Sequence, residues 1–295
     1  MLRLIKQLSA RIKKNSAAPV EYSTVIKNME VEGHGTISFA QWQHPKEEPK
    51  KITKENIDFY KRLGVEGKVI IDIGTHTGDT TVPMGIAAGN NGLVIGLEPN
   101  KFVFKVLEEN IRLNQSIANI DAFCFAATDV DGDYVFNYSD PSFCNGGYLS
   151  EIENKNHNHY YPLDVKGKNL SSFLEANYSS QIAHISLIKI DAEGYDKEII
   201  KTISKLINEQ KPVLMVECYK KLSFTEREEL FDSLDKLDYK LYRLYDFETL
   251  NDLKSIDRED MHLTKHFEIL ALHKESDLNL LDLKSNDYYS ENIQD

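Results

Sequence analysis

The chain has 295 residues, 41% of them hydrophobic and 28% charged, enough for one sizeable core with a small satellite, which excludes a disordered or fibrous protein. Thirty-five Lys plus Arg against 47 Asp plus Glu leave a net charge of −12, so a nucleic-acid backbone or an anionic membrane is not an expected partner. Its three cysteines, Cys124, Cys144 and Cys218, are widely spaced and form no CxxC pair, which reads as reduced thiols in a cytosol rather than a secreted disulfide framework.

No run approaches the roughly 18 apolar residues of a membrane-spanning helix, and no apolar leader with a cleavage site is evident, so a soluble, cytoplasmic protein is expected. Within residues 2–14, Leu4, Ile5, Leu8 and Ile12 recur at helical spacing among Arg3, Lys6, Arg11, Lys13 and Lys14. Such a helix could rest weakly on an anionic membrane surface without inserting; the plainer expectation is a short helix docked on the domain or fraying. Residues 1–51 are read as an extension of basic helix plus loop, with His44 to Lys51 an exposed Pro/Glu/Lys loop. A helix should start at Thr53, with Asn56 three residues on as a partial cap, and stop at Gly64.

From residue 68, short apolar runs alternate with amphipathic segments of helical length, the pattern of strand–helix units in a parallel sheet. The runs are Lys68–Ile73, Leu93–Glu98, Asp121–Ala126, Ile185–Asp191, Val213–Glu217, Lys240–Leu244 and Phe267–His273. Helices are expected between the first two runs and across Lys101–Leu113, Asp196–Asn208 and Thr225–Leu237. The last two runs are joined by a polar connection without helical periodicity, so they should pair antiparallel at a sheet edge. The long excursion before Ile185 begins at Asp131-Gly132, a hairpin signal, and its segment at about 130–184 is read as a cap inserted in a domain spanning 52–275. Residues 276–295 read as an acidic, poorly ordered tail.

Asp72-Ile-Gly74-Thr75-His76-Thr-Gly78-Asp-Thr80 is a strand end, a glycine turn and a helix start, a place where backbone can approach a ligand closely. Glu98 ends the next strand at close to the roughly 20-residue interval at which an acidic group meets a ribose hydroxyl pair. His76 stands where a dinucleotide fingerprint needs its middle glycine, and the chain has no Gly-Lys-Ser/Thr phosphate loop. A nucleoside cofactor without phosphate fits, and S-adenosylmethionine is the common one, with Glu98 on the ribose and Asp72 meeting its ammonium directly or through water.

These residues, with Leu97-Glu98-Pro99-Asn100, Ala126-Ala127-Thr128-Asp129, Leu187-Ile-Lys189-Ile-Asp191-Ala-Glu193-Gly194 and Pro212-Val-Leu-Met-Val-Glu217, resemble the successive motifs of the FkbM family of S-adenosylmethionine-dependent O-methyltransferases. The resemblance spans about residues 52–220, more loosely to 273, and Glu-Pro-Asn with Ile-Lys-Ile-Asp-x-Glu-Gly is its most specific part. It implies an α/β, Rossmann-like sheet of seven mostly parallel strands, order 3-2-1-4-5-7-6 with strand 7 antiparallel, and helices on both faces. It also implies a cofactor site at Asp72, Gly74, Thr75, His76, Gly78, Thr80, Glu98, Pro99, Asn100, Ala126, Ala127 and Asp129. The family usually has Asn where this chain has His76.

Methyl transfer to a weakly acidic acceptor needs a base aligned with the reacting atoms. Three strands expected side by side end in carboxylates, Asp72, Asp191 and Glu217, which in a dry cleft raise one another's pKa and suit either a base or a cation site. Asp191 is the first choice of base, with Glu193 and Glu217 behind it, or else it only orients the cofactor. Lys189 shares a strand face with Asp191 and, if buried, must be paired: a packed ion pair with Glu217 or Glu193, or a group that positions the base or substrate. His44, His157 and His159 sit in polar loops and are weaker candidates, and Phe143, Asn145, Gly146 and Gly147 form a turn that could cover the cofactor. No His or Cys cluster points to an essential metal.

The function expected is O-methylation of a hydroxyl on a sugar or glycan precursor, a class the family includes and the Asn-, His- and Tyr-rich cap suits. Methylation of a polyketide or other small natural product is the rival within enzymes, and a non-catalytic cofactor-binding regulator the rival outside them.

Overall fold

The computed structural model describes residues 20–138, 148–149, 161–276, 278 and 283. The basic segment 2–14, Cys144, the turn at Phe143, Asn145, Gly146 and Gly147, and His157 and His159 lie outside the described residues.

The strands include the apolar runs, of which Val69–Ile73, Ile185–Ile190 and Val213–Cys218 are buried on both faces, as a parallel sheet covered by helices requires. In chain order they are β1 (Thr24–Val31), β2 (Gly35–Trp42), β3 (Val69–Ile73), β4 (Leu93–Leu97), β5 (Ile120–Phe123), β6 (Ala126–Thr128), β7 (Gly132–Tyr138), β8 (Tyr148–Leu149) and β9 (Tyr161–Asn169), followed by β10 (Ile185–Ile190), β11 (Val213–Cys218), β12 (Tyr239–Leu244), β13 (Lys254–Ser255) and β14 (Phe267–His273). The helices are α1 (Lys54–Arg62), α2 (Thr81–Ala88), α3 (Lys101–Asn114), α4 (Leu170–Asn177), α5 (Asp196–Thr202), α6 (Ser204–Gln210) and α7 (Phe224–Asp235). The central sheet is mixed, with eight strands in the order β5-β4-β3-β10-β11-β14-β12-β13. β5, β4, β3, β10 and β11 run parallel, whereas β14 is antiparallel to both neighbours. The eighth strand, absent from the sequence reading, is β13, a two-residue partner of Tyr242 and Arg243.

Alternation along the strands divides the core. Val69, Ile71 and Ile73 join Ile188 and Ile190 in a cluster with α5, α6 and α7, while Ile70, Leu187 and Met215 join the cluster that holds α1 and α2. Leu283 and Leu278, from the segment read as a tail, pack against the second cluster.

Four local expectations are corrected. The third run ends at Phe123; Ala126–Thr128 turns away and pairs with β9 in a separate four-stranded sheet, β6-β9-β7-β8. Asp131-Gly132 makes no hairpin, because β6 and β7 pair with the two edges of β9 and not with each other. The helix expected over Asp196–Asn208 is broken at Ile203 into α5 and α6. In the extension, β1 and β2 form an antiparallel hairpin turned at Gly33 and Gly35, whose φ values of 78° and 73° suit glycine. The Thr53 cap is complete: Thr53 Oγ1 accepts from Asn56 N–H and Asn56 Oδ1 accepts from Thr53 N–H.

The hairpin is docked rather than pendant. The buried amide of Asn110 on α3 accepts from Ala40 N–H at 2.6 Å and donates to Thr77 O at 2.8 Å, tying β2 to the turn after β3. Asn114 donates to Ser38 O at 2.8 Å. Among the described residues no helix is long and apolar enough to cross a membrane.

Candidate active site

The turn leaving β3 sits at the carboxyl ends of the parallel strands, where open α/β sheets bind ligands. Gly74 has φ 84°, and a Cβ there would stand 2.0 Å from the Asp191 carbonyl oxygen, so only glycine lets the ends of β3 and β10 come this close. His76 is held at φ 48°, and its N–H donates to Glu98 Oε2 at 2.9 Å. Asn100 N–H donates to Glu98 Oε1 at 2.8 Å, while the Asn100 side chain caps α3 through Phe102 N–H. Each Glu98 oxygen is thus fixed by one backbone donor and keeps a second lone pair for a hydroxyl. Burial raises the Glu98 carboxyl above its usual range despite the opposing pull of His76 and these two N–H groups.

A cleft of about 380 Å³ opens over this turn. Its lining includes the apolar side chains of Pro99, Val103, Phe125, Ala126 and Ala127, together with Glu98 and the turn residues Gly74, Thr75, His76 and Thr80. Lys189, Asp191, Glu193 and Tyr195 also line it.

Strand register creates the charge cluster beneath it. Lys189 and Asp72 are direct neighbours across β10 and β3, on the face they share with Leu187 and Ile70. Lys189 Nζ lies 3.7 Å from Asp72 Oδ1 and 3.2 Å from Asp191 Oδ2, with the Lys189 and Asp72 side chains 3% and 0% exposed. Burial works against the ammonium, but Asp191 and Asp72 outweigh it and hold Lys189 well above the usual lysine range. Asp72 Oδ2 also accepts from Thr81 Oγ1 at 2.7 Å, and burial still raises its carboxyl. One step along, Glu217 on β11 is the register partner of Glu268 on β14. Burial, with Asp191 next, drives Glu217 far up and Glu268 to about 7. Glu217 Oε1 meets His266 Nε2 at 3.0 Å. Asp196, 1% exposed, accepts from Ala192 and Gly194 N–H groups and so fixes the loop that carries Asp191 and Glu193; burial and then Asp191 lift its carboxyl to about 8.

Of the residues singled out from sequence, Gly74, Thr75, His76, Thr80, Glu98, Pro99, Asn100, Ala126, Ala127, Lys189, Asp191 and Glu193 converge on the cleft. Four do not line it. Asp72 is fully buried behind Lys189 and Thr81, which removes the direct contact with an ammonium. Gly78, at φ 95°, leaves room for Leu107 of α3, whose Cδ1 would lie 2.9 Å from a Cβ there. Asp129 is exposed just past the end of β6, its carbonyl accepting from Asn169. Glu217 is held by His266 and does not reach the cleft wall. The partners of Lys189 are Asp72 and Asp191, not Glu217 or Glu193, because the parallel register of β3 and β10 sets them side by side. Residues missed from sequence are Lys46, Glu47, Lys50, Asp79, Tyr138 and Phe247, all in the walls. Lys46, Glu47 and Lys50 carried a signal only as charges in a loop just before the domain.

A carboxylate held for two vicinal hydroxyls in a cleft with apolar lining fits a nucleoside, and a turn without a phosphate loop fits one that carries an amino acid instead. The fold and cleft define an α/β enzyme with a nucleoside-cofactor site. Residues 72–247 match the Methyltransferase FkbM domain, and the chain belongs to that family of S-adenosylmethionine-dependent methyltransferases. No curated protein sequence matches it. Among solved structures, the methyltransferase FkbM from Methylobacillus flagellatus KT is 14% identical with a TM-score of 0.43 over 69% of this chain and 43% of that one, so this chain spans less than half of that protein. Precorrin-6y C5,15-methyltransferase from Geobacter metallireducens GS-15 is 10% identical, TM-score 0.40, over 74% and 86% of the two chains. The O-methyltransferase from Bacillus cereus, in complex with SAH, is 11% identical, TM-score 0.42, over 76% and 84%.

Proposed function

We propose that the enzyme transfers the methyl group to a hydroxyl oxygen of a sugar or glycan precursor, with Asp191 as the general base. The observation that carries this reading is the Asp191 carboxylate, 37% exposed in the cleft wall beside Glu193 and backed by a buried cation, Lys189. The cofactor, when bound, supplies an electrophilic methyl group on a sulfonium. An alcohol is too weak an acid to attack without losing its proton, so a positioned carboxylate is what the chain must provide. Lys189 binds Asp191 Oδ2, fixing the carboxylate so that Oδ1 can take the acceptor's proton. Phe136, Tyr138, Tyr195 and Phe247 offer flat faces for the C–H side of a sugar ring, and Glu193 offers an acceptor for its hydroxyls. The net charge of −12 favours small hydroxylated acceptors over nucleic acid.

The test is incubation of the full chain with methyl-labelled S-adenosylmethionine and a panel of sugars, nucleotide-activated sugars, oligosaccharides and polyketide alcohols, read by mass spectrometry and NMR. A methyl ether on a sugar hydroxyl is expected. Ethers formed only on polyketide alcohols would reassign the acceptor class, and transfer only to nitrogen or carbon would refute the hydroxyl reading.

A further inference from the structure

The family match begins at residue 72, yet the cleft includes residues from well before it. The loop after β2 is built rather than loose. Gln41, 3% exposed, accepts from Lys50 N–H through Oε1 at 2.6 Å, and the buried His44 accepts from Lys46 N–H at 3.0 Å. This loop is pinned to the glycine turn by charge. Lys50 Nζ lies 2.9 Å from Asp79 Oδ2 and 3.6 Å from Glu47 Oε1, and Glu47 Oε1 lies 3.8 Å from His76 Nδ1. Asp79 immediately precedes Thr80, the cap of α2.

We propose that Lys50, from outside the family-matched segment, is a cofactor-binding residue that receives the carboxylate of the cofactor's amino-acid end, so that the N-terminal extension completes the cofactor site. The inference rests on the cofactor and not on the acceptor proposed above. Glu98 and the apolar lining take the nucleoside, which leaves the wall of Gly74, Thr75, His76, Asp79 and Thr80 for the amino acid. Lys50 lines the same cleft and pairs with Asp79 of that wall at 2.9 Å. An ammonium has three donors, and Asp79 takes one at hydrogen-bond distance, so an incoming carboxylate can share it. Burial alone would lower Lys50, but Asp79 and Glu47 outweigh it and keep the ammonium charged. Lys50 with Asp79 and Glu47 presents both signs to a zwitterion, and the two carboxylates supply the negative charge near the cofactor's ammonium that buried Asp72 cannot offer directly.

The test compares two ligands on the full chain by calorimetry: S-adenosylhomocysteine, and 5′-methylthioadenosine, which lacks the amino-acid end. Lys50→Met should weaken S-adenosylhomocysteine about ten- to a hundredfold, the effect of losing a charge-assisted bond, and leave methylthioadenosine within twofold. Equal losses for both ligands, or no loss for either, would overturn the assignment. Glu98→Ala should weaken both ligands, since both carry the ribose; if it does not, the position of the cofactor is wrong rather than the role of Lys50. Thermal unfolding checks that each variant is folded, and Lys50→Gln repeats the comparison should Lys50→Met fail to fold.

Discussion

Lys189→Met removes the cation between Asp72 and Asp191, and the cost follows from burial. A surface ion pair contributes at most about 1 kcal/mol, but the Lys189 and Asp72 side chains are 3% and 0% exposed, so solvent screens little. Breaking a buried pair by removing one partner strands the other charge at about 3–5 kcal/mol. For a chain of 295 residues that lowers Tm by about 5–8 °C. Asp72→Asn in the same chain removes the stranded charge, so the double variant should be more stable than the sum of the single losses predicts, with a coupling of at least about 1.5 kcal/mol. The pH dependence has a definite sign. The Asp72 carboxyl is already raised in the folded state by burial, and without Lys189 it rises further. Its ionisation therefore costs stability above the folded pKa, and the deficit of Lys189→Met should shrink as pH falls through that value and Asp72 becomes neutral. Urea unfolding followed by circular dichroism, across pH 5 to 8, measures all four proteins. A single-variant loss below about 1 kcal/mol, or strict additivity in the double variant, would refute the buried pair.

Two further outcomes follow from the turn. Glu98→Ala should weaken S-adenosylhomocysteine at least about tenfold by calorimetry if each carboxylate oxygen makes a charge-assisted bond to a ribose hydroxyl, and an unchanged affinity would refute that contact. Gly74→Ala should fail to accumulate as folded protein or melt well below the wild type, since its Cβ would lie 2.0 Å from Asp191 O at φ 84°; a wild-type melting curve would show that β3 and β10 are not this close.

The strands of the central sheet were legible because β3, β10 and β11 are buried on both faces and so appear as unbroken apolar runs. The β1–β2 hairpin was not read, although Ile37 and Phe39 alternate with Ser38 beyond a glycine turn, because β1 leaves Val25 and Ile26 half exposed and carries no buried face of its own. Asp129 was misplaced for a topological reason: Ala126–Thr128 continues an apolar run in sequence but leaves the central sheet for β9. Glu98 and Asp191 were legible as cleft residues because each follows the end of a readable strand. Lys50, Asp79 and Glu268 were not, because their meaning comes from a docked hairpin and an antiparallel register that bring distant segments together.

The most direct measurement on the catalytic claim is steady-state methyl transfer by Asp191→Asn, which keeps the shape of the side chain and removes its basicity. Turnover should fall by about 10²- to 10⁴-fold while the dissociation constant for S-adenosylhomocysteine stays within a few-fold of wild type. Wild-type turnover in this variant would contradict Asp191 as the base and pass the role to Glu193.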